Sequence, residues 1–351
     1  MTFIIAAAKS IDHVGNLQPC LDLETQIVQR GYQLHHLYIE PLSADWHSAE
    51  SAHYFRSGCA PALALAQAKL LIEQGHHGVV ISGEDNLKSG YSRDERLRLM
   101  SVYGADYPLT QAYTDLATAF IDQQNIDAGL FKQVCASLFN NYLSSYRHGL
   151  GHDFTEDMLP DQRWYQPLTA LFRGVDCANP LVDFSGRLLI TSSTLADELN
   201  ITSEQRVAVK AVAISCLAGD GREHIEQIVR YQHLAQAYQQ CCAQSGIDFA
   251  KQFVQGKALL ETYTCYPVVP MAFLLASGLV EAVEDIPAFL KLHQITVTGG
   301  MNLARAPWNN PALNGIITMV ERLTSEAGQS VGLVHANGGL GYRQGIILLE
   351  S

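Results

Sequence analysis

The short segment between residues 62 and 72 constrains the fold more than any other feature of this chain. As a helix it is apolar around its full circumference, and Pro61 suits its first turn. Gly75 ends the helix, and the apolar run at 78–83 predicts a fully buried strand. A helix without a polar face must be covered on all sides, so the segment predicts a large surrounding core.

The chain has 351 residues, more than a single core usually supports, so we expect two core units or one duplicated fold. Strand-like and helical runs alternate, as is typical of an α/β protein. Aromatic, charged and Asn-rich stretches between 88 and 167 predict helices and loops over the core. We predict an N-terminal half at 1–87, an inserted helical lid at 88–167 and a C-terminal half at 168–351. The last contains a predicted strand at 296–298 and a long helix from about 310 to 325.

Composition argues against several classes of partner. The formal net charge of −12 disfavours nucleic acid, because phosphate binding requires a basic face. No apolar run is long enough to cross a bilayer, and the apolar start at 1–8 is too short for a signal peptide and lacks its basic residues. Eight cysteines without a secretory segment indicate reduced thiols. We expect a cytoplasmic protein without a nucleic-acid or membrane partner.

Cys59 is the first candidate for chemistry, because it directly precedes the apolar helix in the sequence Ser57-Gly58-Cys59-Ala60-Pro61. A cysteine at a helix N-terminus lies near the positive end of the helix dipole, which favours the thiolate and hence nucleophilic attack. A buried cysteine is also a common core residue with no chemical role. The local pattern leaves both interpretations open.

Ordered segments over most of the chain carry a family resemblance. They are 57–84, 182–183 with 188–192, 263–267, 296–300, 309–322 and 332–339, together with 107–109 and 140–142 in the lid. The first resembles the nucleophile segment of the thiolase superfamily. The later segments are similar to the sterol-carrier-type thiolases and to the acetyl-CoA acetyltransferase-like, or thiolase-like, proteins.

This resemblance implies a duplicated five-layer αβαβα fold, a homodimer, and acyl transfer through a cysteine thioester. Coenzyme A would carry the acyl group as part of the substrate, with no permanently bound cofactor or metal. Cys59 would attack the acyl carbonyl. By analogy, the N–H of Cys59 and one from the turn at Gly338 and Gly339 would stabilise the oxyanion.

The sequence departs from the thiolase pattern at three positions. Ala306 stands where thiolases place the histidine that activates the thiol, and Ala336 stands where they place a second cysteine. Tyr263 matches the polar residue of the Asn-Glu-Ala-Phe or His-Asp-Cys-Phe motif, and a tyrosine is a poor base at neutral pH. Ordinary thiolase turnover is therefore not expected from these residues alone.

His335 is the natural substitute for the missing base because it directly precedes Ala336. Neighbouring residues on a strand face opposite sides, so simple geometry favours His335 as a residue that packs or binds a carbonyl. Cys265 lies in a motif found near the active site of the resembled proteins, and it is also compatible with an inert buried thiol. Tyr263, Cys265 and Gly300 are predicted to line the active site.

Lys88, Arg93 and Arg96 belong to the densest basic cluster of the chain, at the start of the predicted lid. We expect them either to bind the phosphates of coenzyme A or to form a solvated helix face.

Two functions follow from the resemblance. One is an acyl-CoA acyltransferase that forms a thioester on Cys59 and passes the acyl group to an acceptor. Claisen condensation and thiolysis are the two candidate forms of this transfer. The other is a non-catalytic thiolase-like subunit that binds acyl-CoA or supports a partner subunit.

Overall fold

The computed structural model describes residues 1–44, 51–325 and 330–351. Its strands are β1 (Thr2–Ile11), β2 (Val14–Gly15), β3 (Leu34–Ile39), β4 (Tyr54–Phe55), β5 (Gly78–Asn86), β6 (Asp183–Ser192), β7 (Val207–Cys216), β8 (Ala258–Glu261), β9 (Val331–Gly338) and β10 (Arg343–Glu350). Its α-helices are α1 (Gln18–Gln29), α2 (Ala60–Glu73), α3 (Arg93–Met100), α4 (Leu109–Gln124), α5 (Ala128–Leu150), α6 (Ser193–Glu198), α7 (Ile225–Ile228), α8 (Gln232–Ser245), α9 (Phe249–Val254), α10 (Val268–Ala276), α11 (Ile286–Leu290), α12 (Gly300–Leu303) and α13 (Pro311–Ser325).

The strands form one mixed sheet in the order β4-β3-β5-β6-β1-β7-β10-β9-β8, with β2 paired to β1. Its two halves join where β1 pairs with β7, and this junction aligns only Phe3 with Ala208 and Ile4 with Val207. β4, β3, β5, β6 and β1 form the first half. β7, β10, β9 and β8 form the second.

Helices α2 and α13 lie between the two halves of the sheet. One buried apolar cluster combines side chains of both helices with those of the first half, such as Leu37 and Val79, and of the second, such as Val334 and Ile347. This arrangement buries most of α2, which is why its sequence is almost wholly apolar, whereas Leu70 near its C-terminal end stays 45% exposed. The large core predicted around this helix is confirmed.

Two further layers of helices cover the outer faces. Helices α1 and α6 pack with β1, β5 and β6 in one apolar cluster, and α4, α5, α8 and α10 pack with β7, β9 and β10 in another. The layers therefore run helix, sheet half, α2 with α13, sheet half, helix, so the predicted α/β fold with five layers is present. No helix in the described ranges is long and apolar enough to cross a membrane.

The predicted lid contains α3, α4 and α5, between β5 and β6 in the chain. After it, the chain returns to the first half of the sheet, where β6 inserts between β5 and β1. Chain order and sheet order thus differ at this point.

The predicted strand at 296–298 is wrong. The carboxylate of Glu261 accepts hydrogen bonds from the backbone N–H of Val297 at 2.6 Å, from that of Thr298 at 2.9 Å and from the Thr298 hydroxyl at 2.6 Å. A buried side chain therefore satisfies the donors that a ladder would have used. The predicted long helix is confirmed as α13.

Candidate active site at the start of helix α2

Cys59 is the N-cap residue of α2 and has no exposed surface. A Cβ atom built on Gly345 of β10 would lie 2.9 Å from the Cys59 Sγ, 2.7 Å from the Ala62 Cβ and 3.5 Å from the Ala336 Cβ. The thiol therefore packs against the second half of the sheet, beside the alanine that replaces the second cysteine of thiolases.

The loop before Cys59 is strained and tightly held. Ser57 has a φ of +80°, a conformation that non-glycine residues rarely adopt. Its backbone N–H donates to Asn309 Oδ1 at 3.0 Å, and its hydroxyl accepts from the Cys59 N–H at 3.3 Å. Such strain persists only where surrounding contacts fix the backbone, and it concentrates at functional sites.

Gly58 brings three segments together above this helix start. A Cβ atom at Gly58 would collide with the Tyr263 hydroxyl and with the backbone carbonyl of Asn337. Only a residue without a side chain fits this position, since the Asn337 carbonyl belongs to β9 and cannot easily move.

A cavity of about 170 Å³ opens at this point. Its walls come from the loop before α2, the lid, the loops before β6 and α10, the segment from α12 towards α13, and the end of β9 with the turn after it. They include Gly58, Met100, Val102, Tyr103, Leu109, Tyr113, Ala178, Pro180, Tyr263, Cys265, Tyr266, Met301, Ala306, Trp308, Asn337 and Gly339. A cavity of this size is smaller than a typical ligand pocket.

Tyr263 presents a hydroxyl to this cavity. Its backbone N–H donates to His335 Nδ1 at 3.4 Å. Burial raises the Tyr263 pKa well above its ordinary value, and the nearby thiols of Cys265 and Cys59 act in the same direction. Tyr263 is therefore a hydrogen-bond donor at neutral pH, which suits it to a carbonyl or enolate oxygen.

His335 lies on the opposite face of β9 from Ala336, in contact with the Phe273 ring. Its Nε2 donates to Gln344 Oε1 at 2.7 Å, since Nδ1 accepts from Tyr263. Burial lowers the His335 pKa to about 4, so the ring is neutral near pH 7. The structure thus places His335 behind Tyr263 rather than beside Cys59, and its catalytic role stays a prediction.

A chain of hydrogen bonds continues from His335 to the cavity. Gln344 Nε2 donates to Asn337 Oδ1 at 2.8 Å, and Asn337 Nδ2 donates to the Gly339 carbonyl at 3.3 Å. His335 and Gln344 therefore fix the orientation of the Asn337 side chain in the cavity wall.

Cys265 lies on the other side of the cavity. Its thiol donates to the Tyr113 hydroxyl at 3.3 Å, and Tyr113 donates to the Gly339 carbonyl at 2.9 Å. Burial raises the pKa of Cys265 to about 12, so it is a neutral thiol near pH 7. This residue is not poised as a thiolate nucleophile.

A carboxylate occupies the turn after β9. Asp220, in the loop after β7, accepts from the backbone N–H of Leu340 at 3.0 Å and from the Tyr103 hydroxyl at 2.7 Å. Gly339 has a φ of +59°, and a Cβ there would collide with this carboxylate. The predicted oxyanion turn at Gly338 and Gly339 is therefore in contact with a carboxyl side chain.

The remaining predicted site residues are distributed around this centre. Ala306 and Cys265 line the cavity, whereas Gly300 lies one residue before the lining residue Met301 and packs against the Tyr142 ring. Gly338 approaches the Cys59 side chain, since a Cβ there would be 3.2 Å from the Cys59 Cβ.

The predicted phosphate-binding residues lie at the lid. Lys88 forms an ion pair with Asp12 at 3.2 Å, and Arg96 donates to the Leu87 carbonyl at 2.7 Å. Arg93 begins α3, whose last residue, Met100, lines the cavity. Lys88 and Arg96 thus make internal contacts, and coenzyme A binding by the three stays a prediction.

Sequence reasoning missed Tyr103, Tyr113, Asn337 and Asp220. Asp220 carried a weak local signal, because it stands between Gly219 and Gly221 in a loop. Functional residues are disproportionately found on loops that a rigid scaffold positions. The two tyrosines come from the lid, and their approach to β9 depends on tertiary packing that no local pattern encodes.

Comparison with known proteins places this geometry in a known fold. No protein-family model matches the sequence, and no curated protein matches it. Among solved structures, a monomeric SCP2-thiolase-like protein type 1 from Mycobacterium smegmatis is similar with a TM-score of 0.67 and 18% identity, over 99% of this chain and 77% of that one. The Ltp2-ChsH2(DUF35) aldolase is similar with a TM-score of 0.64 and 16% identity, over 100% and 97%. The five layers, the central pair of helices and these likenesses together show that the chain has the thiolase fold, as found in sterol-carrier-type thiolase-like proteins.

Proposed function

We propose that the protein is an enzyme that acts on acyl thioesters of coenzyme A. It makes or breaks the carbon–carbon bond between C2 and C3 of the acyl group in an aldol-type reaction. The observation that carries this proposal is the Tyr263 hydroxyl. It lies in the cavity wall directly over Gly58, where a Cβ atom would collide with it. It is therefore available to an oxygen of the substrate.

In the cleavage direction, the substrate is a 3-hydroxyacyl thioester. Its hydroxyl proton passes to a base, and the O–H electron pair becomes the carbonyl bond of the departing aldehyde or ketone. The electron pair of the bond between C2 and C3 becomes a thioester enolate. Tyr263 donates a hydrogen bond to the enolate oxygen. Protonation at C2 then gives a shorter acyl thioester, so that no other reactant is consumed.

Three features favour this reaction over thiolase turnover. Ala306 and Ala336 lack the groups that would activate a cysteine and shuttle its proton. The Cys59 thiol packs against Gly345 and has no exposed surface. One structural neighbour is described as an aldolase in complex with a DUF35 protein.

Acyl transfer through Cys59 is the second candidate, and the strained Ser57 favours it. A φ of +80° directly before the helix start is the kind of strain that active sites hold. In this reaction the Cys59 thiolate attacks the thioester carbonyl, coenzyme A leaves as its thiol, and an acceptor later takes the acyl group. Tyr263 would donate to the oxyanion here as well.

The test is to incubate the purified protein with short 3-hydroxyacyl-CoA and acyl-CoA substrates. Acyl-CoA products are followed by mass spectrometry, and the protein is weighed intact. We expect a shorter acyl-CoA and an aldehyde, with the rate lowered about a hundredfold or more by Tyr263→Phe and unaffected by Cys59→Ala. Tyr231→Phe is the matched control, since this buried hydroxyl has no partner in the described residues and lies outside the cavity.

Other results would decide against the aldol reaction. An acyl adduct on Cys59 that Cys59→Ser removes, without cleavage products, supports acyl transfer instead. Binding of acyl-CoA with neither product nor adduct supports a non-catalytic subunit.

The assembly of the protein is a separate proposal. One structural neighbour is described as monomeric and the other as a complex with ChsH2(DUF35). We propose that this chain acts as a homodimer or with a partner subunit that completes its site. Native mass spectrometry of the purified chain distinguishes a dimer from a monomer.

A further inference from the structure

We propose that Tyr103 and Asp220 form the proton-transfer pair of the cavity, in which Tyr103 contacts the substrate hydroxyl and Asp220 receives the proton. This inference rests on the proposed aldol-type reaction and supplies the base that it needs. Tyr103 is the catalytic residue, and Asp220 is a positioning residue that acts through it.

The geometry of the pair is fixed from three sides. The Tyr103 hydroxyl donates to Asp220 Oδ2 at 2.7 Å, and the Leu340 N–H donates to Asp220 Oδ1 at 3.0 Å. Tyr103 itself lines the cavity, together with Gly339. Because Gly339 has no side chain, the carboxylate can lie directly against the turn.

The surroundings of the pair keep the resting proton on Tyr103. Burial raises the pKa of Asp220, while the Tyr103 hydroxyl, the Leu340 amide and His224 act to lower it. Burial and the Asp220 charge raise the pKa of Tyr103, and Tyr342 acts in the same direction. Tyr103 therefore stays protonated near pH 7. It gives its proton to Asp220 only when it receives the substrate proton in the same step.

The step is a relay over two oxygen atoms. The substrate hydroxyl proton moves to Tyr103 Oη while the Tyr103 proton moves to Asp220 Oδ2. The substrate O–H pair becomes the new carbonyl, and the C2–C3 pair becomes the enolate held by Tyr263. The reverse relay returns the proton to C2 of the enolate and restores the Asp220 carboxylate. One 3-hydroxyacyl thioester thus gives one aldehyde or ketone and one shorter acyl thioester.

The position of Asp220 also determines what the turn after β9 can bind. Because the Leu340 N–H is bonded to Asp220, the turn after β9 does not offer that amide to an oxyanion. An ionised carboxylate there repels a second negative charge but accepts a proton. The Leu340 amide is therefore not an oxyanion donor, and the carboxylate that it holds can act as a base.

The experiment compares Asp220→Asn, Tyr103→Phe and the double variant in the cleavage of short 3-hydroxyacyl-CoA, with kcat and KM measured between pH 5 and 9. Asparagine keeps the shape and can still accept from Tyr103, but it cannot take the proton. We expect each single change to lower kcat about a hundredfold or more with little change in KM, and the double variant to lose no more than either single one. The wild-type kcat should rise with pH as Asp220 ionises, and this rise should be absent in Asp220→Asn.

Tyr107→Phe is the matched control, because Tyr107 donates to Asp115 at 2.9 Å in a similar pair outside the cavity. It should keep the wild-type kcat. An active wild type with an unimpaired Asp220→Asn and an unchanged pH profile would overturn the pair and leave the aldol reaction standing. A wild type that cleaves none of these substrates would overturn both. Tyr103→Phe keeps the test decisive if Asp220→Asn fails to fold.

Discussion

At the scale of single residues, the cavity depends on Gly58. Gly58→Ala should lower activity and reduce the free energy of unfolding by about 1–3 kcal/mol, because the new methyl group meets the Tyr263 hydroxyl and a backbone carbonyl. Urea unfolding and the product assay measure the two effects.

The control is Gly149→Ala, also a glycine-to-alanine change. In α5 the added Cβ would have no heavy atom nearer than the Val297 carbonyl at 4.0 Å. Alanine should stabilise the protein there by about 0.5–1 kcal/mol. If Gly58→Ala behaved like this control, the close contact with Asn337 would be wrong.

His335 makes the free energy of unfolding depend on pH. Its pKa is lowered by burial from 6.5 to about 4 in the folded chain. Below pH 6.5 the unfolded chain binds a proton here that the folded chain does not, so the free energy of unfolding falls as the pH drops, by about 3 kcal/mol near pH 4. His335→Gln should lose this component of the pH dependence.

The measurement is the difference in the free energy of unfolding between wild type and His335→Gln at several pH values. The difference should be constant above pH 7 and change between pH 6.5 and 4. A constant difference over the whole range would show that the ring titrates normally, which contradicts its burial behind Tyr263.

Sequence reasoning located the centre of the site but not its chemistry. It placed Cys59 at a helix start and Tyr263 near it, because both follow from local pattern and family resemblance. It left His335 between two interpretations, and strand alternation, the simpler one, describes its side chain correctly. Tyr103 and Asp220 could not be paired from sequence, since 116 residues separate them and only the folded lid brings them together.

At the scale of elements, the segment before α12 depends on one carboxylate. Thr298→Val should lower the free energy of unfolding by about 1–3 kcal/mol, because it removes the hydroxyl that donates to Glu261 at 2.6 Å and leaves the Gly300 N–H without its acceptor. Thermal and urea unfolding measure the change.

Thr296→Val is the control at the neighbouring threonine. The Thr296 hydroxyl is buried and has no hydrogen-bond partner in the described residues, so its removal should be neutral or stabilising. Equal losses at both positions would mean that side-chain volume rather than the Glu261 hydrogen bonds holds this segment.

Most elements were predictable because their patterns agree with their burial. The apolar segment after Cys59 and the long helix near the C-terminus are both helices, α2 and α13. The segment at 296–298 was wrongly predicted to be a strand, because its β-branched residues favour that structure. The deciding contact comes from Glu261, 35 or more residues earlier in the chain, and local propensity does not report it.

At the scale of the whole molecule, the central helices join both halves of the sheet. Leu65 of α2 is fully buried in the cluster that both halves share. Leu65→Ala should lower the free energy of unfolding by about 2–5 kcal/mol and keep a single transition, because neither half retains its core without α2.

Tryptophan fluorescence and far-ultraviolet circular dichroism should follow the same urea curve in wild type and variant. Leu70→Ala on the same helix is the control, with a change within about 0.5 kcal/mol, since Leu70 is 45% exposed. Two separate transitions would show that the halves unfold independently.

The position of β6 in the sheet has a consequence for synthesis on the ribosome. β1 and β5 flank β6, but β6 begins only at Asp183, after the whole lid. At the rates at which ribosomes elongate a chain, β6 is synthesised on the order of ten seconds after β1. Until then, its position between β1 and β5 in the sheet is unoccupied. During that time both strands present unpaired backbone edges. The nascent chain is therefore most vulnerable to aggregation while the lid is being translated, and a chaperone that binds extended apolar segments would act on it in that interval.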